Sequence, residues 1–171
     1  MDKRLLIGIS SCLLGNEVRY DGGHSRSDCI LESMRGLFKL IPFCPEVAIG
    51  MSVPRPPINL VIKAGLIRVR GVSDKEHDVT DALTNYAISI NEQLHAMSGY
   101  IFKSRSPSCG LMGVNVYDDE TNQVVKTSAG QFAKIITQQH PQLPVEDEFR
   151  LEDKKIRDDF IQRVLDYSCG K

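Results

Sequence analysis

The sequence predicts an α/β fold, a single-domain Rossmann-like open sheet with parallel central strands and flanking helices. Short apolar runs in LLIGIS, KLIPF and GYIF alternate with segments of helical periodicity, the pattern of strand-helix-strand crossovers. Each run ends in turn-forming residues. A cysteine follows each one: Cys12 in LLIGISSC, Cys44 in LIPFC and Cys109 in YIFKSRSPSC. If the runs are neighbouring parallel strands, their outlets meet at one sheet edge, where open α/β sheets bind ligands.

The elements follow in chain order. Leu5 to Ile9 reads as a buried strand, and Gly15, Asn16, Gly22 and Gly23 mark the loop after it. Asp28 stands where a helix N-cap is expected, with Ile30, Leu31, Met34, Leu37 and Phe38 at helical spacing. A second strand over 39–43 then leads to Cys44. Pro54, Pro56 and Pro57 exclude a regular helix or central strand, whereas INLVI and LIRVRGV around a KAG turn read as a β-hairpin. From Ser73, a long helix is expected with Val79, Leu83, Tyr86, Ala87, Ile90, Leu94 and Met97 on one face and Gly99 as its stop. GYIFKS is the next strand. In the last third, NVYDDETNQVVKT reads as another hairpin or a turn, GQFAKIITQQH as a short helix and KKIRDDFIQRVLDYS as an amphipathic terminal helix.

Composition narrows the function classes. The 171 residues are 42% hydrophobic with a formal net charge of −1, which suits one folded core and argues against disorder or a general nucleic-acid binder. No apolar stretch reaches the roughly 20 residues that span a bilayer, and the charged start lacks a signal-peptide pattern, so a cytoplasmic protein is expected. In that reducing compartment five cysteines, an odd number, are thiols or metal ligands rather than bridges. Taken singly, each of Cys12, Cys44 and Cys109 is explained as a buried residue. Together, at three strand outlets, they point to a shared three-thiolate metal centre with one open position. Cys29, at a helix start, and Cys169, near the terminus, are left outside it.

The segments SSCLLGNEVRYDGGHSR, FCPEVAIGMSVPRPP and KSRSPSCG, in this order, resemble the bacterial family known as domain of unknown function 523, which is associated with thiouracil desulfidases. The resemblance runs from Leu5 to about Ala133 and is to the short, single-domain form. It implies one desulfidase-like domain over 1–171, with 134–171 as a C-terminal helical extension. It also implies a [4Fe-4S] cluster held by Cys12, Cys44 and Cys109, with the fourth iron open. An iron without a protein ligand is a Lewis acid for a soft thiocarbonyl sulfur. The implied reaction removes sulfur from a thiolated pyrimidine, thiouracil, 4-thiouridine or its monophosphate, by non-redox substitution. Its products are the oxo base and sulfide.

On this reading Glu46, two residues past Cys44, activates water, and Ser106 assists as a second catalytic group. Ser11, Ser104 and Ser108 are candidate substrate contacts, although serines in such loops also serve turn geometry. Arg55 and Arg105 are the foremost cations for a substrate phosphate, with Arg19, Arg26 and Lys103 around the same loops. A tRNA substrate is disfavoured, because no extended basic surface or aromatic stacking motif stands out. Oligomeric state is not legible. Two other classes remain at this point: a zinc- or nucleotide-binding module, and a hydrolase using Cys44 or Cys109 as nucleophile.

Overall fold

Two parallel neighbours flank the first strand, β1 (Leu5–Ser10), in the computed structural model, which describes residues 4–170. On one side lies β2 (Phe38–Phe43), on the other β5 (Gly99–Phe102), and β8 (Val145–Asp147) extends the sheet beyond β5. The order β2-β1-β5-β8, all parallel, is that of a doubly wound sheet with its switch point between β1 and β5. Pro42 is tolerated because β2 is the edge strand, where a missing ladder N–H is not needed.

Helices cover both faces. Ile7, Ile9 and Ile101 pack with Ile30 and Met34 of α1 (Asp28–Met34), and with Phe160 and Val164 of α6 (Lys154–Cys169). On the opposite face Tyr100, Phe102 and Phe43 pack against three further helices. These are α3 (Thr80–Ser89), α4 (Asn91–His95) and α5 (Gln131–Gln139). Gly8 of β1 is opposite Tyr100, and the tyrosine ring occupies the space a side chain would need: a Cβ on Gly8 would lie 2.4 Å from it.

A second sheet stands apart from the first, with order β4-β3-β6-β7. It joins the hairpin of β3 (Ile58–Lys63) and β4 (Leu66–Gly71) to that of β6 (Val114–Asp118) and β7 (Val124–Ser128), through parallel pairing of β3 with β6. Both hairpins were legible in the sequence; their union was not, because a parallel pairing leaves no turn signature.

Several expected boundaries move. Leu37 and Phe38 continue the helical spacing of α1, yet the helix ends at Met34 and Phe38 opens β2. Ser27, not Asp28, takes the N-cap position. The long helix expected from Ser73 begins only at Thr80 and is interrupted at Ile90. Gly99 begins a strand rather than ending that helix, which stops at His95. Within 134–171 the chain also contributes β8 to the central sheet, so this segment is not helical throughout. No helix among the described residues is long and apolar enough to cross a membrane.

Overpacking at the β1–β5 contact gives a direct test of this core. Gly8→Ala should lower stability by about 1–3 kcal/mol in urea unfolding, because the added methyl must displace a buried ring. An unchanged midpoint would show that the ring yields freely.

Candidate functional site

The loops leaving β1, β2 and β5 surround one cavity of about 420 Å³, open on one side and lined by Cys12, Cys44 and Cys109. The chain reaches it in three ways. After β1 it turns at once into a 3₁₀ turn, Ser11–Leu14, that buries Ser11, Cys12 and Leu13. After β2, Cys44 is the N-cap residue of a one-turn helix, α2 (Pro45–Ala48), where Pro45 fits the first position and Glu46 lies in the first turn. After β5, the segment Lys103–Gly110 is clamped against the start of α5. Gly130 and Gln131 donate their N–H groups to the carbonyls of Gly110 and Pro107, and Ala133 donates to that of Ser108. A Cβ on Gly130 would lie 2.7 Å from the backbone of Ser108, so only glycine allows this approach.

Burial acts on all three thiols and they act on one another. Cys12 is pushed up from 9.0 to about 11 by burial, with the charge of Cys44 adding and those of Lys103 and Arg19 opposing. Cys44 is raised by burial; the Val47 amide opposes this and the Glu46 charge adds to it. Cys109 is raised well above the ordinary thiol value, first by burial and next by Glu46, while the Ser10 hydroxyl pulls the other way. In the metal-free chain the three are therefore thiols at neutral pH, and ligation has to displace their protons.

Glu46 is fixed through both carboxylate oxygens. Ser108 Oγ donates to Oε1 at 2.7 Å, and Arg55 Nε donates to Oε2 at 2.7 Å. Arg55 is only 8% exposed and is itself anchored: Nη1 donates to the carbonyl of Ser52, Nη2 to that of Val18, and its backbone N–H to that of Tyr20. Arg55, expected to meet substrate phosphate, is thus held by protein acceptors through Nε, Nη1 and Nη2. Its guanidinium also lines the cavity, and the geometry supports a role in positioning Glu46.

The remaining candidates separate by what they touch. Ser106 lines the cavity, and its Oγ accepts the N–H groups of Ser108 and Cys109 at 3.2 and 3.0 Å, leaving its own hydrogen to donate. Ser11 also lines the cavity, and its Oγ accepts from Asn16. Ser108, also expected as a substrate contact, is fully buried and donates to Glu46. Ser104 donates to Glu148, which also accepts from the Ser104 N–H and from Lys103 Nζ. Arg105 is exposed at the cavity, with no side-chain partner among the described residues and a left-handed φ of 61°. Arg19 donates to Ser25 and Asp21, and Arg26 pairs with Asp28 on the surface.

Glu148 and Ser10 are the residues that sequence reasoning underrated. Glu148 follows β8, a three-residue strand with no readable period. Ser10 Oγ accepts the Lys103 N–H at 2.9 Å, a link between two strand outlets that only the parallel register creates.

The residues present suit a cluster by donor chemistry: three soft thiols around a cavity many times the roughly 30 Å³ of one water. Among the described residues no three Cys, His, Asp or Glu side chains form a group that holds a single metal ion.

Comparison with known proteins places the chain in a family. The family model for 2-thiouracil desulfurase matches residues 7–148, a span that contains all three cysteines, Glu46 and Arg55. The chain is 34% identical over 112 residues to the uncharacterized protein YbbK of Bacillus subtilis (strain 168), covering 61% of this chain and 73% of that one. Among solved structures it is similar to the [4Fe-4S]-dependent thiouracil desulfidase TudS, with a TM-score of 0.61 and 30% identity over 88% of this chain and 94% of the other.

Two measurements follow from the geometry. Arg55→Met should destabilise the protein by about 3–5 kcal/mol, because it strands a half-buried carboxylate, and adding Glu46→Leu should restore much of the loss. Denaturant titrations of both single variants and the double variant read this out, and additive losses would contradict the pairing. Secondly, burial raises the folded-state value of Cys12 above its unfolded value of 9.0. Its contribution to stability in metal-free protein is therefore complete below about pH 9 and is lost as pH rises through about 11. Alkylation of Cys12 should lag behind that of exposed Cys29 and Cys169 at pH 8 and accelerate toward pH 11.

Proposed function

Because the chain belongs to the 2-thiouracil desulfurase family, we propose that it removes sulfur from a thiolated pyrimidine, with Cys12, Cys44 and Cys109 as the ligands of a [4Fe-4S] cluster. The single observation that carries the reading is the sharing of one cavity by these three thiols and a carboxylate tethered at both oxygens. When bound, such a cluster would supply a Lewis-acidic iron without a protein ligand, with affinity for a soft thiocarbonyl sulfur.

The protein's own groups do the rest. Ser108 and Arg55 hold the Glu46 carboxylate in one orientation, with lone pairs left to accept a proton from water in the cavity. The oxygen of that water adds to the ring carbon, the carbon–sulfur bond breaks, and sulfur leaves as sulfide. Water and the thiocarbonyl thus become a carbonyl and hydrogen sulfide, with no net transfer of electrons. Ser106 donates its free hydrogen to the pyrimidine and orients the ring. Ser11 also lines the cavity, and Arg105 offers a charge without a side-chain partner among the described residues for an anionic substituent such as a nucleotide phosphate. Residues 1–171 work as one unit in this scheme, and 134–171 contributes Glu148 to the cavity loop.

The test is anaerobic reconstitution with iron and sulfide, followed by sulfide-release assays on 2-thiouracil, 4-thiouridine and 4-thiouridine monophosphate. Cys12→Ala, Cys44→Ala and Cys109→Ala should each abolish release, and Glu46→Gln should slow it by about 10²–10⁴-fold with iron content retained. Arg105→Ala should weaken use of the monophosphate and leave the free base unaffected. Sulfide release by iron-free protein, or none from any of the three compounds by iron-loaded protein, would overturn the reading.

A further inference from the structure

The second sheet brings one polar side chain to the cavity wall and leaves it unspent. Asn59 of β3 lines the cavity and is half-buried, and its side-chain amide makes no hydrogen bond among the described residues. Its place in the strand sets its direction. Side chains alternate across a sheet, and Ile58 and Leu60 on either side of it are buried in the apolar core of the second sheet, so Asn59 projects from the opposite face. The backbone beneath it is held: β3 is an inner strand, and Asn59 itself pairs with Arg70 of β4. Asparagine is depleted in strands, where β-branched and aromatic side chains pack better, so packing does not account for an amide here.

Other polar groups of the cavity are already engaged. Lys103 and Ser104 are bonded to Glu148, and Glu46 is bonded to Arg55 and Ser108. Ser106 has a hydrogen to give, and the Arg105 guanidinium can only donate. A thiolated pyrimidine of the uracil type presents, next to its thiocarbonyl, the N–H at N3 and then a carbonyl, a donor beside an acceptor. A carboxamide is the complement of that edge, with an acceptor and a donor in one plane, as when asparagine pairs through two hydrogen bonds with the edge of adenine in DNA.

We propose that Asn59 determines the substrate class by reading this edge, its Oδ1 accepting the ring N3–H and its Nδ2 donating to the carbonyl beyond. The inference rests on the desulfidase reading of the cavity. The 2-thio and 4-thio isomers both carry N3–H between a thiocarbonyl and a carbonyl, so turning the ring over gives the same contact for either. A ring methylated at N3 has no hydrogen to offer Oδ1, and a site built to bond a substrate N–H rejects the analogue that lacks it.

The test compares wild type with Asn59→Leu and Asn59→Ala, all loaded with iron, using 2-thiouracil as substrate and uracil and 3-methyluracil as competitors. In wild type, uracil should inhibit more strongly than 3-methyluracil. Asn59→Leu should raise the inhibition constant of uracil about tenfold or more, leave that of 3-methyluracil nearly unchanged, and lower kcat/KM for 2-thiouracil by a similar factor. Asn59→Ala should behave alike, which removes any dependence on how leucine fits. Iron content and the urea midpoint should match wild type in both variants, since the amide supports neither. Equal inhibition of wild type by the two competitors would overturn the proposal, as would a preference for uracil that survives in both variants, which would show that shape rejects the methyl group. A lowered urea midpoint or iron content in both variants would also overturn it, by assigning the amide to the fold. Failure of iron-loaded wild type to release sulfide from 2-thiouracil would instead remove the desulfidase reading, and it is distinguished by occurring without any substitution.

Discussion

The site depends on the register of β1 against its two parallel neighbours. Ser10 pairs with Phe43, and Ile9 pairs with Ile101, so the three strands end at nearly one level and Cys12, Cys44 and the Lys103–Gly110 loop leave the sheet side by side. A slip of one residue would turn the apolar alternation of a strand inside out, which the cores on both faces forbid. Packing far from the cavity thus fixes the cysteines. The Gly8–Tyr100 contact belongs to this lock: the ring seated on the missing side chain holds β1 to β5 close to where both strands deliver their loops.

Around the cavity, polar groups are held by pairing at positions where burial disfavours charge. Glu46 with Arg55, and Lys103 with Glu148, are largely buried ion pairs, and such pairs contribute little net stability because desolvation offsets attraction. Their consequence is placement. Arg55 connects the α2 turn to the loops carrying Val18 and Ser52, and Glu148 connects the end of β8 to Lys103 and Ser104. Each carboxylate therefore ties separate chain segments to one cavity wall. The thiols show the complementary pattern, with their ordinary acidity suppressed by burial and by one another.

The sequence revealed the parts of this molecule that are local. Strand runs, three cysteine outlets, both hairpins and the terminal helix have signatures within a dozen residues, and the three motifs that resemble a known family mark the cavity loops. Pairings between distant segments were hidden. Arg55 looks like a free cation between prolines, and only the fold shows Glu46, Val18 and Ser52 converging on it. Ser108 and Ser106 are indistinguishable in SRSPSCG, yet one is buried against Glu46 while the other faces the cavity. The helix expected from Ser73 misleads because Val79 and its neighbours continue an apolar stripe through residues that the chain uses to turn. β8 and Glu148 were missed because three residues carry no period.

The most direct test of the central claim, that three thiols enclose a cluster whose remaining iron meets the substrate, is Mössbauer spectroscopy of protein reconstituted with iron-57. The account predicts one iron environment distinct from the others, shifting when a thiolated pyrimidine is added and unmoved by the corresponding oxo pyrimidine. A loaded protein in which all iron sites are alike and none responds to the thiolated compound would contradict it.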